Sequence, residues 1–336
     1  MFWRLKHIAG HRAKCRLLSG QARNVVFAVP DRKYIEVSGK GSLKLLQGIM
    51  TNDANKLVEA GSVLASAFLT PKGRIFADAL CYTLSAASGG DGPQVVLEVH
   101  RQFHAPMLQH LTMHKLRSAV VVKPLELTSY VSPPGSSATP DPNKGLVLTC
   151  VDPRGSEFGT RFLVSSDVSP LNDSSASGNP LDYQHFRLLR GLADTPELSG
   201  RIPLECNLDL LNYISFKKGC YVGQELTSRT KFRGLVRKRL QPYILLDLNN
   251  EGDVPKDESE ETRIAESVHL NAGLGFGLGL FPVDQLAESA SIEHSDAVAI
   301  AKTAGATGLR VTEVLENSRT RRVLTFRPPF FRDLKQ

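Results

Sequence analysis

Apolar and polar positions along the chain switch between a two-residue and a helical period, and the switches mark its elements. Val25–Val37 alternates as a strand and leads to a turn at Ser38–Gly41. Leu43, Leu45, Leu46 and Ile49 then mark a short helix ending near Thr51-Asn52-Asp53. Val63–Thr70 and Ile75–Leu84 are strand-like and flank Pro71-Lys72-Gly73-Arg74, a tight turn in which proline presets φ and glycine frees the exit. Gln94–Val99 is another strand, Phe103, Met107 and Leu111 one face of a helix, and Ser118–Val122 a closing strand.

Two stretches rich in Ser, Pro, Gly and Asp, Ser132–Gly145 and Ser165–Gly178, flank strand-like segments at Leu146–Val151 and Arg161–Val164. Asn179, Pro180 and Gly191 are suited to the N-cap, first residue and stop of a helix whose buried stripe is Leu181, Phe186, Leu188 and Leu189. Beyond Arg239, Tyr243–Leu248 predicts a strand and Asn249–Glu266 an acidic interruption. The remainder predicts short strands with Gly-rich turns. Mixed elements followed by an all-strand end imply an α+β protein with an appended C-terminal β-barrel-like domain.

With 41% hydrophobic and 22% charged residues, the chain is neither wholly disordered nor fibrous. No apolar run approaches the roughly 20 residues of a membrane span. The formal charge is +7, of which residues 1–20 hold five basic side chains and no acid. A body so near neutrality gives no general reason to expect nucleic-acid binding. The basic, acid-free start interleaves Phe2, Trp3, Leu5 and Ile8 with Arg4, Lys6 and Arg12, the composition of a matrix-targeting segment over 1–23; a basic tail is the alternative. Cys81, Cys150, Cys206 and Cys220 form no C-x-x-C pair, so thiol chemistry here belongs to single cysteines.

Neither a G-x-x-x-x-G-K-[ST] phosphate loop nor a G-x-S-x-G elbow is present. Gly273, Gly275, Gly277 and Gly279 lack dinucleotide-binding spacing and mark turns or a strand where backbones approach closely. His100/His104 and His110/His114 are spaced for one helix face but lack a third ligand, which favours solvated surface histidines over a metal site. The informative stretch is Lys217–Glu225. Cys220 follows Lys217, Lys218 and Gly219 and precedes a helix start at Gln224, so ammoniums and orphan N–H groups favour its thiolate. A thiolate attacks electrophiles or ligates iron; the plainer reading is a small buried hydrophobe. Lys217–Arg239 carries eight basic residues and one acid, Glu225, a run suited to RNA, an acidic partner or plain solvation.

Lys218-Gly219-Cys220-Tyr221-Val222-Gly223-Gln224-Glu225 reads K-G-C-Y-x-G-Q-E, and with it the chain resembles the folate-binding, T-protein-like proteins of iron–sulfur metabolism. Lys231-Phe232-Arg233-Gly234, Leu46-Gln47-Gly48, Thr51-Asn52-Asp53 and Leu69–Ile75 carry the same resemblance, which covers roughly residues 25–245. With the targeting segment, the chain is most similar to the mitochondrial iron–sulfur cluster assembly factors of that family. The resemblance implies a cloverleaf of subdomains with a ferredoxin-like element over 24–239 and a β-barrel over 240–336. It also implies work in the mitochondrial matrix with A-type scaffold proteins on client apoproteins that receive four-iron, four-sulfur clusters.

Related aminomethyltransferases hold tetrahydrofolate in a channel that Asp53, Lys72, Arg74, Glu205 and Asn207 are placed to line, if they are not simply turn, cap or surface residues. Two departures weaken transferase chemistry and folate binding. His100-Arg101-Gln102-Phe103 stands where the catalytic aspartate falls, and Leu189 replaces the pterin-gripping glutamate. The leading expectation is therefore a non-enzymatic assembly factor in which Cys220 ligates a transient cluster shared with a partner. The rivals are a tetrahydrofolate-dependent transferase, a repair enzyme using the Cys220 thiol, and an RNA-associated module.

Overall fold

A computed structural model describes residues 25–86, 92–139, 141, 144–166, 176–177, 180–245, 265–271, 276–283, 307–316 and 319–331. The expected targeting segment over 1–23, Asn179, Gly273 and Gly275 lie outside them, as does the acidic interruption expected over Asn249–Glu266 except for its last two residues, Ala265 and Glu266, which begin a strand. The chain divides into two compact units. The larger is Arg23–Tyr183 with Asp194–Leu235, and the smaller gathers Gln184–Ala193 with Val236–Gln336.

The strand expected over Val25–Val37 is two strands, β1 (Val26–Ala28) and β2 (Arg32–Ser38). Between them Asp31 takes φ +57°, a left-handed conformation that no strand sustains. The kink sends β1 and β2 into different sheets. The first sheet is antiparallel, ordered β3 (Val63–Leu69), β4 (Ile75–Ser85), β5 (Gln94–His100), β2 and β6 (Val121–Leu125). Residues alternate between its two faces. Ile35, Val37, Ala77, Ala79, Val95, Leu97 and Val99 share one core with Leu45, Leu46 and Ile49 of α1 (Ser42–Ile49) and with Met107 and Leu111 of α2 (His104–Lys115). Both helices thus cover one face of the sheet, which is the expected ferredoxin-like element. Each fully buried leucine, isoleucine or valine there contributes about 1.5–3 kcal/mol.

The opposite face carries Tyr34, Asp78, Tyr82 and Glu98, all buried. A second sheet supplies their partners, with the order β10 (Ala176–Ser177), β1, β7 (Leu127–Ser132), β9 (Thr160–Ser165) and β8 (Leu146–Val151). Strand β7 has no counterpart in the sequence reading, and the strand expected at Ser118–Val122 is shifted to Val121–Leu125. Its alternation is blurred because Thr128 and Ser129 interrupt the apolar positions.

In the smaller unit, five strands close into a barrel: β11 (Lys238–Leu245), β12 (Ala265–Asn271), β13 (Phe276–Pro282), β14 (Thr307–Glu316) and β15 (Arg319–Arg327). Gly277 and Gly279 lie within β13, opposite Tyr243 and Gln241 of β11, so the strand reading of these glycines holds rather than the turn reading. The helix α3 (Pro180–Leu189) begins at Pro180 as expected, and Gly191 beyond it takes φ +70°, the left-handed stop. Two further helices belong to the larger unit, α4 (Thr195–Leu198) and α5 (Gln224–Arg233).

Candidate functional site

The segment leading to Cys220 is fixed by the residues around it rather than by regular structure. The Thr51 hydroxyl donates to the Tyr213 carbonyl at 2.7 Å, and the Asn52 amide donates to the carbonyls of Asn212 at 2.8 Å and Ala65 at 2.7 Å. The backbone N–H of Ser215 donates to the Thr51 carbonyl, and that of Val222 to the Gly48 carbonyl at 3.0 Å. The Leu46-Gln47-Gly48 and Thr51-Asn52-Asp53 segments therefore serve as the bed on which the cysteine loop lies.

Lys218 fastens that loop. Its ammonium donates to the carbonyls of Gln47 at 2.8 Å, Met50 at 2.6 Å and Asn52 at 2.8 Å, and sits 4.9 Å from the centre of the Tyr221 ring. Those carbonyls end α1, where a cation is favoured. Burial lowers the Lys218 pKa to about 8, opposed by the charge of Asp53. All three ammonium donors are engaged, so Lys218 is a structural clamp and not the cation expected to favour a Cys220 thiolate. Lys217, by contrast, is exposed.

Cys220 itself is exposed. The plainer expectation, a small buried hydrophobe, describes Cys81 and Cys206 instead. A Cβ on Gly219 would meet nothing within 4 Å, so the approach to the cysteine is open on that side. Gly223, at the N-cap of α5, is different. It takes φ +79°, and a Cβ there would lie 2.4 Å from the Thr70 carbonyl oxygen. Gly73, at the β3–β4 turn, takes φ +76°, and its Cβ would lie 2.6 Å from that of Leu226. The two glycines let the turn and the start of α5 touch, which is why both segments need them.

Beside the loop lies a groove of about 720 Å³ lined by Pro71, Tyr221, Gln224, Arg229, Phe232 and Arg233, among others. Phe232 is 68% exposed and Leu235 85%. The Phe232 ring meets Phe216 edge-on at 5.9 Å. Sequence reasoning gave Phe232 no role; its signal was an aromatic residue inside an otherwise basic helix.

Asp53 accepts from Gln47 at 3.0 Å and caps a single helical turn at Ala54–Lys56. Lys72 and Arg74 are exposed at the β3–β4 turn, and Glu205 and Asn207 lie in the turns before Tyr213. None of the five lines the groove or the interior void described next. Glu225 pairs with Arg229 one helical turn on. His110 and His114 are not solvated surface histidines: His110 packs against Phe76 at 5.2 Å and His114 at 4.2 Å. Among the described residues no group of three or more His, Cys, Asp or Glu is placed to hold a metal. No described helix is long and apolar enough to cross a membrane.

Between the two sheets lies a network that sequence reasoning missed. Arg161 of β9 donates to Glu98 of β5 at 2.5 Å and to the Tyr82 hydroxyl at 3.0 Å, and Asp152 takes a two-pronged contact from Arg154 at 2.9 and 2.7 Å. Arg32 pairs with Asp194, and Asp78 accepts from Thr195 and from Tyr213. Burial pushes the Asp152 carboxyl up, but Arg154 and Arg161 outweigh it and hold the pKa low. Burial and the charge of Asp194 push Asp78 up, with Arg32 opposing. The void among these groups is about 10 Å³. That is room for about one water and none for a pterin.

A comparison with models of known protein families finds no match. Curated relatives are nevertheless clear. The mitochondrial iron–sulfur cluster assembly factor IBA57 homolog of Neurospora crassa is 36% identical over 246 residues, covering 68% of this chain and 55% of the relative. The Mycosarcoma maydis homolog is 32% identical over 225 residues, 64% of this chain and 55% of the relative. The mitochondrial IBA57 of Mus musculus is 32% identical over 277 residues, 75% of each chain. The chain spans just over half the length of the two fungal relatives. Among solved structures, the glycine cleavage system aminomethyltransferase T of Bartonella henselae superposes with a TM-score of 0.64 at 16% identity, over 94% of this chain and 88% of the other. That likeness establishes the T-protein fold.

Proposed function

Because the chain belongs to the family of the mitochondrial iron–sulfur cluster assembly factor IBA57, we propose that it assists cluster assembly in the mitochondrial matrix through Cys220. The observation that carries this reading is an exposed cysteine on a clamped, glycine-flanked loop beside an open groove. Ligation takes the thiolate form, so the thiol proton leaves as the iron–sulfur bond forms. A two-iron, two-sulfur cluster needs about four protein ligands, so one cysteine shares the cargo with a second chain. An A-type scaffold protein is the partner we assign, and four-iron, four-sulfur apoproteins are the clients.

The role is non-catalytic in this reading. His100 occupies the end of β5, where a transferase carries its aspartate, and its ring nitrogen accepts from the Gln102 backbone. Tetrahydrofolate has no part in it, because the void between the sheets has room for about one water. Mixing the protein with an A-type scaffold carrying a two-iron, two-sulfur cluster tests the reading. A one-to-one complex with cluster absorbance distinct from that of the scaffold alone is expected. Tight stoichiometric binding of tetrahydrofolate without such a complex would favour the transferase instead.

A further inference from the structure

The α5 helix presents one unpartnered face. Glu225, Ser228, Arg229 and Phe232 follow at i, i+3, i+4 and i+7 and line the groove together, while Thr227 is buried and Leu226 packs at Gly73. The face combines an aromatic ring with positive charge. Phe232 is held edge-on by Phe216, and the Lys231 ammonium lies 5.1 Å from the Phe216 ring centre. Arg233 lines the groove without an ion-pair partner among the described residues. The turn that contributes Pro71 to the wall also carries Lys72 and Arg74, which are exposed next to the groove and outside its lining. Against these stands Glu225, already paired with Arg229. An aromatic side chain kept in place yet exposed is the form that a binding anchor takes, because little order remains to be imposed when a partner arrives.

We propose that this groove docks a short acidic segment bearing a bulky apolar side chain, carried by the protein that shares the cluster with Cys220. The segment's apolar side chain packs on Phe232 and Pro71, and its carboxylates face Arg233, Lys72 and Arg74. The groove includes Tyr221, the residue next to Cys220, so a docked partner has its own cysteines within reach of the shared cargo. An RNA strand matches the surface less well, since Glu225 lies in the wall and one exposed ring gives no series of stacking platforms. The inference rests on the shared-cluster reading and adds where the partner is held.

The test is binding of the full chain to an apo A-type scaffold protein, followed by calorimetry at low and physiological salt. Affinity is expected to fall roughly tenfold as salt rises. The double variant F232A/R233E is expected to weaken binding about 30-fold or more, with an unchanged thermal midpoint because both side chains are exposed. Cys220→Ser is expected to hold affinity for the apo scaffold within about twofold while losing the mixed-cluster absorbance. Salt-insensitive binding unmoved by F232A/R233E would overturn the dock and leave the role of Cys220 standing. Absence of any binding of the wild type to the apo scaffold would overturn the dock, whereas the shared-cluster reading falls only if the cluster-loaded scaffold also forms no mixed complex. An RNA oligonucleotide bound more tightly than the scaffold, or self-association abolished by F232A/R233E, would assign the groove to another occupant and overturn the proposal.

Discussion

Between its two sheets the larger unit buries Arg32, Asp78, Glu98, Asp152, Arg154 and Arg161 around a void of about 10 Å³; over α5 it leaves a phenylalanine and a thiol in water. The interior charges are paired, each guanidinium meeting a carboxylate or a phenol. The surface groups are the reverse, an aromatic ring 68% exposed despite its edge contact with Phe216, and an exposed sulfur. The same fold in an aminomethyltransferase is built around an enzyme's site. In the reading proposed above, the interior acts as a lock and the chemistry belongs to the rim.

The comparison breaks most easily at Glu98. Replacing Glu98 with Ala removes a shared partner of Arg161 and Arg32 and leaves buried charge uncompensated, which is expected to destabilise the protein by about 3–5 kcal/mol in a urea titration. A loss below about 1 kcal/mol would mean that water reaches the network and that the interior is not a lock. Next comes Gly223→Ala, with its left-handed φ and a methyl 2.4 Å from the Thr70 carbonyl, expected to cost about 2–4 kcal/mol. Gly219→Ala, four residues earlier, meets open space, and its stability is expected to stay within about 0.5 kcal/mol of the wild type. Equal effects at the two glycines would show that the loop is not clamped as described.

A smaller effect belongs to His110, which stands between the two regimes. Burial and the neighbouring His114 lower its pKa to about 4 from 6.5. Between those values the unfolded chain binds the extra proton, so this contribution is complete above pH 6.5 and is lost as pH falls toward 4. His110→Gln is expected to flatten that part of the pH–stability curve. An unchanged slope would place the ring in solvent, where the sequence first put it.

Much of the fold was legible because its elements keep clean periods. The α1 stripe at Leu45, Leu46 and Ile49, the β3–β4 turn at Pro71–Arg74 and the start of α3 at Pro180 all follow from local chemistry. The break at Asp31 was not legible, because a left-handed aspartate leaves the apolar alternation around it intact. Strand β7 was hidden by hydroxyl side chains that tertiary contacts bury. The interior network did leave a trace: Glu98 and Arg161 are lone charges inside apolar runs, and each implies a partner from elsewhere in the chain. The site was half legible. Cys220 and its glycines stood out, but the direction of Lys218 depended on carbonyls some 170 residues away in sequence, which no local pattern reports.

The central claim is that the Cys220 sulfur ligates a cluster held jointly with another chain. Its most direct test compares wild type and Cys220→Ser, each mixed with a scaffold carrying a two-iron, two-sulfur cluster and read by visible absorbance and circular dichroism. The account predicts that the spectrum of the mixed complex disappears in the variant while its fold and thermal midpoint persist. An identical spectrum from both proteins would contradict it.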